Sequence, residues 1–258
     1  HGRTIGALSV GSNKKYKSNI GPVPGKVKFC KFNDVSHLRK LVNKKTVAII
    51  IEFVQGDGGI NICSKNFAKA IKEICKNRKI LLIGDEIQGG IGRTGKIFAY
   101  KHYGVNPDII TSAKGLGSGI PIGATIVKKY ISKIISTGFH GSTFGGGMLQ
   151  TRVSYNVFKA VNNKKFLNKV FINGKLLSNL LNIMHTNHKD KIIDTRCLGL
   201  MAAIEFRTNE IASKIYEKIT KNGLIATLIQ GNIIRITPPL IISQKELKNG
   251  LDIISKSL

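Results

Sequence analysis

The stretch between residues 45 and 86 constrains the fold more than any other part of the chain. "KTVAIIIEFVQGDGG" (45–59) is an apolar, β-branched run closed by glycines. It fits a strand buried on both faces, as parallel sheets require. "SKNFAKAIKEICKNRK" (64–79) follows, with Ser64 placed as an N-cap and Phe67, Ile71, Ile74 and Cys75 on one helical face opposite lysines. "ILLIGDE" (80–86) reads as a second buried strand. Strand, helix and strand within about forty residues make a βαβ unit with a right-handed crossover. "PDIITSA" (107–113) and "PIGATIV" (121–127) add further short strands, so the class is α/β.

Polar residues close these strands. Gln55 and Asp57 end the first, Asp85 and Gln88 the second, and Lys114 the third, inside "TSAKGLGSGIPIGA" (111–124). Ligands of open parallel sheets sit beyond the carboxyl ends of the strands, so these residues are expected to meet in one pocket. An aspartate at a strand end is often only a cap for the next helix, and a lone lysine in a loop is usually solvated. An acid and an amine on neighbouring strand ends, each followed by glycines that admit a ligand to the backbone, form a narrower pattern. A buried amine beside a buried carboxylate suits Schiff-base chemistry. Desolvation lowers the amine's pKa and makes it a nucleophile toward an aldehyde. Pyridoxal phosphate needs such a lysine, together with an acid that keeps its ring nitrogen protonated. Lys114 and Asp85 are the candidates.

Lys and Arg number 41 against 14 Asp and Glu, a formal charge of +27. Such an excess attracts phosphate backbones. The lysines are spread over the whole chain, however, with no RRM, KH or zinc-finger signature, so no dedicated nucleic-acid partner is expected. Cys30, Cys63, Cys75 and Cys197 form no CxxC pair, which points to a reducing, cytoplasmic setting. No apolar run approaches the roughly 20 residues that cross a bilayer, and no leader-like opening is evident, so no membrane partner is expected. His102 and His140 lack metal-like spacing and are read as structural or rim residues, leaving no metal site.

Residues 1–162 read as a large cofactor-binding domain that includes a connecting helix in "GGMLQTRVSYNVFKAVNN", and 163–258 as a smaller C-terminal α/β domain. In the latter, "FLNKVFINGKLLSNLLNIMHTNH" is an amphipathic helix with Leu167, Val170, Leu176, Leu177 and Leu180 as core positions. "GLMAAIEF", "GLIATLI" and "NIIRITPPL" read as short strands, and "SQKELKNGLDIISKSL" as a final helix capped by Ser243. Arg235 lies on a strand leading toward the pocket.

The block "LLIGDEIQGGIGRTGKIFAYKHYGVNPDIITSAKGLGSGIPIGA" closely resembles the class III pyridoxal-phosphate aminotransferases, within them most of all those acting on acetylornithine and next those acting on ornithine. "HGRTIGALSVGSNKKYK", "FHGSTFGGG" and "NIIRITPPLIIS" match further family blocks in order. The resemblance implies a fold-type I large domain, a mostly parallel sheet flanked by helices, with the N-terminal part of the family fold absent. It implies that Lys114 bonds the cofactor aldehyde, Asp85 faces the ring nitrogen and Gln88 the phenolic oxygen. Thr143, with Ser142 beside it, is similar to the residue that reaches the phosphate of a neighbouring subunit's cofactor, which implies a homodimer with sites at the interface. Arg3 resembles the arginine that clamps the substrate α-carboxylate. Arg235 resembles the one released from a gating acid, here Asp57, so that one pocket accepts both an ω-amine donor and 2-oxoglutarate. The implied reaction is a ping-pong transamination of N2-acetylornithine, or a related ornithine or diaminopimelate derivative, in arginine biosynthesis. A non-catalytic remnant of such an enzyme and an ornithine aminotransferase are the alternatives.

This chain departs from the family pattern at several places. Phe53 stands where proline is usual, and Asp57 replaces a glutamate, so its shorter arm is expected to need a water or a backbone shift to reach Arg235. Gly147–Met148 replaces Asn-Pro at a helix start, a loss of rigidity. Cys197 replaces a common glycine, where a positive φ would bring strain. The family runs well over a hundred residues further before the block that opens this chain, and that part carries the phosphate-cradling helix start and a ring-stacking aromatic. Only part of the phosphate grip is therefore expected here, and a chain whole at this length would bind the cofactor weakly and leave strands unpaired.

Overall fold

A computed structural model describes residues 1–18 and 20–258. The elements run α1 (Ile5–Val10), α2 (Val35–Leu41), β1 (Ala48–Ile51), β2 (Val54–Gln55), β3 (Asn61–Ile62), α3 (Lys65–Arg78), β4 (Leu81–Asp85), β5 (Ile109–Ser112), β6 (Ala124–Val127) and α4 (Lys129–Ser132). After them come α5 (Met148–Val161), α6 (Lys164–Asn187), β7 (Ile192–Leu198), β8 (Met201–Phe206), α7 (Asn209–Lys221), β9 (Thr227–Ile229), β10 (Ile233–Ile236) and α8 (Gln244–Ser257).

The βαβ unit forms as its sequence requires. Ser64 Oγ accepts from Phe67 N at 3.1 Å and starts α3. Phe67, Ile71 and Cys75 then fall on its buried face, and Lys79, at φ 54°, stops it. Strands β1 and β4 pair in parallel from Ala48↔Leu81 to Ile51↔Gly84, and β4 pairs in parallel with β5 up to Asp85↔Thr111. One expectation is corrected here. Strand β1 is an edge of the sheet and leaves Ile50 37% exposed, so it is not buried on both faces. Strand β6 runs antiparallel to β5, because the link from Ser112 to Ala124 holds no helix long enough for a parallel crossover.

A second sheet, ordered β7-β8-β10-β9, is antiparallel throughout. Its period-2 alternation divides β8 between two cores. Met201 and Ala203 pack with Phe53, Phe67, Ile71 and Leu82. Ala202, Ile204 and Phe206 pack with Val170, Leu177, Leu181 and Leu251. Ile233 and Ile234 on β10 split in the same way. Each fully buried Leu, Ile or Phe contributes about 2 kcal/mol, so apolar packing is the main tie between the two sheets. Of the core positions expected on α6, Val170 and Leu177 are fully buried, while Leu167, Leu176 and Leu180 are half-buried at its flanks. The final helix starts with a capping box between Ser243 and Glu246. Phe53 fills its place as a core aromatic, stacked on Tyr103 with centroids 5.3 Å apart.

Candidate active site

The register of β4 against β5 sets the site. Asp85 ends β4 opposite Thr111 and is 5% exposed. Its Oδ1 accepts from Thr111 Oγ1 and from Ile87 N, each at 3.2 Å. Lys114 opens the 3-10 turn that follows β5, at φ 46°. That turn carries it past the strand end, so its side chain lies on the exposed rim and not at the buried position expected. Its Nζ is 2.7 Å from His1 Nε2, and His1 Nδ1 is 3.0 Å from Gln88 Nε2. The Lys114 amine and the Gln88 amide thus flank the two nitrogens of one imidazole. Desolvation lowers the Lys114 pKa; the charges of Asp57, Glu52 and Asp85 act against it and Arg235 acts with it. A cavity of about 490 Å³ beside Lys114 is lined by Gly119, Ile120, Pro121 and Ile122. A larger one of about 780 Å³, between the starts of α6 and α8, contains none of the strand-end residues.

Asp57 sits in the turn between β2 and β3. Arg235 Nη1 donates to Asp57 Oδ1 at 2.8 Å, and Gln88 Nε2 donates to the same oxygen at 3.2 Å. The shorter aspartate arm therefore reaches Arg235 directly, contrary to expectation, because the β2–β3 turn already lies against β10. Burial pushes the Asp57 carboxyl up, but the hydrogen bonds from Gln88 and Arg235 and the arginine's charge outweigh it and hold the pKa below its usual value. Gln88 is kept in place by Gly56, since a Cβ there would stand 1.9 Å from Gln88 Oε1.

Two acids beside Asp85 escaped the sequence reading. Glu52 is pushed up to about 7 by burial and by the charge of Asp85. Glu86, 1% exposed, is also pushed up to about 7 by burial, although it accepts from Ala99 N and Tyr100 N, each at 2.8 Å. Their sequence signal was a carboxylate inside an apolar run, "IIIEFV" and "LIGDEI".

Other expected residues stand apart. The Arg3 guanidinium lies 3.6 Å over the Tyr16 ring, and among the described residues it makes no ion pair with a carboxylate. Ser142 and Thr143 are exposed and make no bond to Lys114, in a segment where Phe139 is 72%, Phe144 86% and Met148 90% exposed. Cys197 carries no positive φ; that conformation falls on Gly199, at 59°. Burial instead pushes the Cys197 thiol up to about 12. His102 is bonded to the backbone and hydroxyl of Thr94, each at 3.1 Å, and His140 is exposed. Among the described residues no cluster of His, Cys, Asp or Glu is arranged to hold a metal ion, and no helix is long and apolar enough to cross a membrane.

The whole chain, residues 1–258, matches the aminotransferase class-III family. It is 40% identical over 258 residues to the acetylornithine aminotransferase of Caldanaerobacter subterraneus, covering 100% of this chain and 65% of that protein. It is 38% identical over 253 residues to the acetylornithine/succinyldiaminopimelate aminotransferase of Buchnera aphidicola, covering 97% of this chain and 62% of that one. The ornithine aminotransferase of Toxoplasma gondii, whose structure reveals partial occupancy of pyridoxal phosphate at the protein active site, superposes with a TM-score of 0.93 at 30% identity, over 99% of this chain and 61% of its own. The chain thus spans less than two thirds of the length of these relatives. It belongs to the class III aminotransferases, which use pyridoxal phosphate.

Proposed function

We propose that the protein is a pyridoxal-phosphate-dependent transaminase that moves an ω-amino group from N2-acetylornithine, or a related ornithine or diaminopimelate derivative, to 2-oxoglutarate. The observation that carries this reading is a buried carboxylate and an amide donor at the end of β4 beside an amine just past the end of the paired β5: Asp85, Gln88 and Lys114. This donor set fits the ring end of the cofactor. Asp85 would hold the proton of the ring nitrogen, Gln88 would bond the ring oxygen, and Lys114 would hold the aldehyde. The phosphate end is served in this reading by Ser142 and Thr143 acting on a partner's site in a homodimer. The exposed Phe139, Phe144 and Met148 around them supply apolar area for such contact.

When bound, pyridoxal phosphate supplies an aldehyde that takes up an amine and a protonated ring that accepts the electron pair leaving the substrate carbon. The remaining work falls to the chain. Asp85 is anchored at the end of β4 by the Thr111 hydroxyl and the Ile87 amide. Lys114, with its pKa lowered by desolvation, serves as the group that removes the proton from the amine-bearing carbon and delivers it one position away. Arg3 takes the substrate α-carboxylate; leaving Tyr16 for a bidentate partner is within reach of a surface stack. Asp57 covers Arg235 while the ω-amine donor is present, and uncovers it for the second carboxylate of 2-oxoglutarate.

Arginine biosynthesis, a cytoplasmic setting, and a division into a large domain (1–162) and a small one (163–258) complete the proposal. The similarity to the Toxoplasma ornithine aminotransferase favours ornithine as the second substrate to assay. The test is a visible spectrum. The protein should turn yellow with added pyridoxal phosphate and lose the colour with borohydride. Lys114→Ala should show neither the colour nor turnover of acetylornithine or ornithine. A protein that stays colourless and inert in its natural length refutes the reading.

A further inference from the structure

The turn that carries Asp57 is held from two directions. Toward the first sheet, Val54 and Ile60 are buried in the core and Gly56 lies under the Gln88 amide. Toward the second sheet it is tied by residues of β7, β10 and the turn between β9 and β10. Arg196 Nη1 donates to Asn61 Oδ1 at 2.9 Å. Asn61 Nδ2 reaches back across the hairpin to Gly58 O at 2.6 Å and to Gln55 Oε1 at 3.3 Å. Gln230 Nε2 donates to Asp57 O at 3.1 Å. Ile233 Cδ1 lies 2.8 Å from where a Cβ on residue 59 would stand, so the turn sits flush against β10. Arg196 is itself fixed by an ion pair with Glu205 and by Asp194, 3.4 Å from its Nε, and its side chain is only 19% exposed.

These bonds fall on the backbone of the turn, or on side chains that brace it. The Asp57 carboxylate is held separately, by Arg235 and Gln88. The carboxylate is therefore free to leave Arg235 by rotating its own side chain while the turn stays where it is. Aspartate has one methylene fewer than glutamate, so its reach to Arg235 depends closely on where that backbone sits.

The geometry points to Arg196 and Asn61 as positioning residues for substrate choice: their bond between β7 and the β2–β3 hairpin keeps Asp57 in range of Arg235. This inference rests on the transaminase reading above. Loosening the hairpin would expose Arg235 at the donor stage. An exposed guanidinium attracts the second carboxylate of glutamate but finds no partner on an ω-amine donor.

The test compares Asn61→Ala and Arg196→Lys with the wild type, each in its natural length and loaded with pyridoxal phosphate. Asn61→Ala leaves the Arg196–Glu205 pair intact. Arg196→Lys keeps a cation for Glu205 but lacks the second nitrogen for Asn61. Single-turnover absorbance changes are followed with N-acetylornithine and, separately, with glutamate. The ratio of the two second-order rate constants should shift toward glutamate by about tenfold in each variant, the effect of one charge-assisted hydrogen bond. The double variant should shift no further than Asn61→Ala alone, because that change already removes the link to Arg196 along with the bonds to Gly58 and Gln55. The cofactor colour should persist, which a merely unfolded variant would not show. An unchanged ratio, equal losses on both substrates, or a double shift of about a hundredfold overturns the inference. A wild-type protein that reacts with neither donor overturns the transaminase reading instead.

Discussion

Replacing Gly56 by alanine places a methyl carbon 1.9 Å from Gln88 Oε1, 2.4 Å from Cδ and 2.9 Å from Nε2. No real packing tolerates those separations, so something must move. The backbone has no reason to, since Gly56 is not among the residues with positive φ. The Gln88 amide is the end of a flexible side chain and yields first. Its displacement breaks the 3.2 Å bond to Asp57 Oδ1, together with the proposed bond to the ring oxygen of the cofactor. The bond to the ring oxygen is worth about 1 kcal/mol net, so cofactor affinity should fall by roughly fivefold in Kd. Global stability should hardly change. Alanine restricts the unfolded chain and returns about 0.4–1 kcal/mol at a compatible position. The assay is an absorbance titration of the apoprotein with pyridoxal phosphate, alongside urea unfolding. Gly56→Ala should weaken binding by that factor with the urea midpoint nearly intact. Gln88→Ala should match it, and the double variant should add nothing. A Gly56→Ala protein that binds within about twofold of wild type, or a double variant whose losses multiply, refutes the mechanism.

The buried acid next to Asp85 gives a pH signature. Glu86 is raised from 4.5 to about 7 in the folded protein. Between those pH values the folded state holds more protons than the unfolded one, so stability from this group is full below the lower value and is lost as pH rises through the upper one. The loss amounts to about 3 kcal/mol. Urea unfolding of wild type and Glu86→Gln at pH 5 and pH 8 should show the wild type losing more on going to pH 8; parallel pH dependences would count against a protonated Glu86. At the other end of the chain, Ser243→Ala removes a cap that accepts from Glu246 N at 3.2 Å. It should cost about 1 kcal/mol and about 3 °C in Tm, and an unchanged melting curve would show that the capping box contributes nothing.

Much of the site was legible because its residues follow elementary patterns. Apolar β-branched runs around Ile49–Ile51 and Leu81–Ile83 specify strands, and Ser64 and Ser243 specify helix starts. The rule that ligands gather at strand ends then brought Asp57, Asp85, Gln88 and Lys114 into one neighbourhood before any distance was known. Arg235 was legible only through its strand and the family block around it. Strand β7 and helix α7 went unread. In β7 the polar Asp194, Thr195 and Arg196 interrupt the apolar pattern, because that strand holds ion pairs along with core residues.

The periodicity and capping residues of this polypeptide determined its α/β class, its two amphipathic C-terminal helices and the strand ends that bear chemistry, since those depend on neighbours a few positions away. The reach of Asp57 to Arg235, the rim position of Lys114, the antiparallel turn of β6 and the brace between Arg196 and Asn61 were decided only in three dimensions. The Asp57–Arg235 and Arg196–Asn61 contacts join residues 178 and 135 positions apart, separations that packing between the two sheets sets and no local pattern encodes.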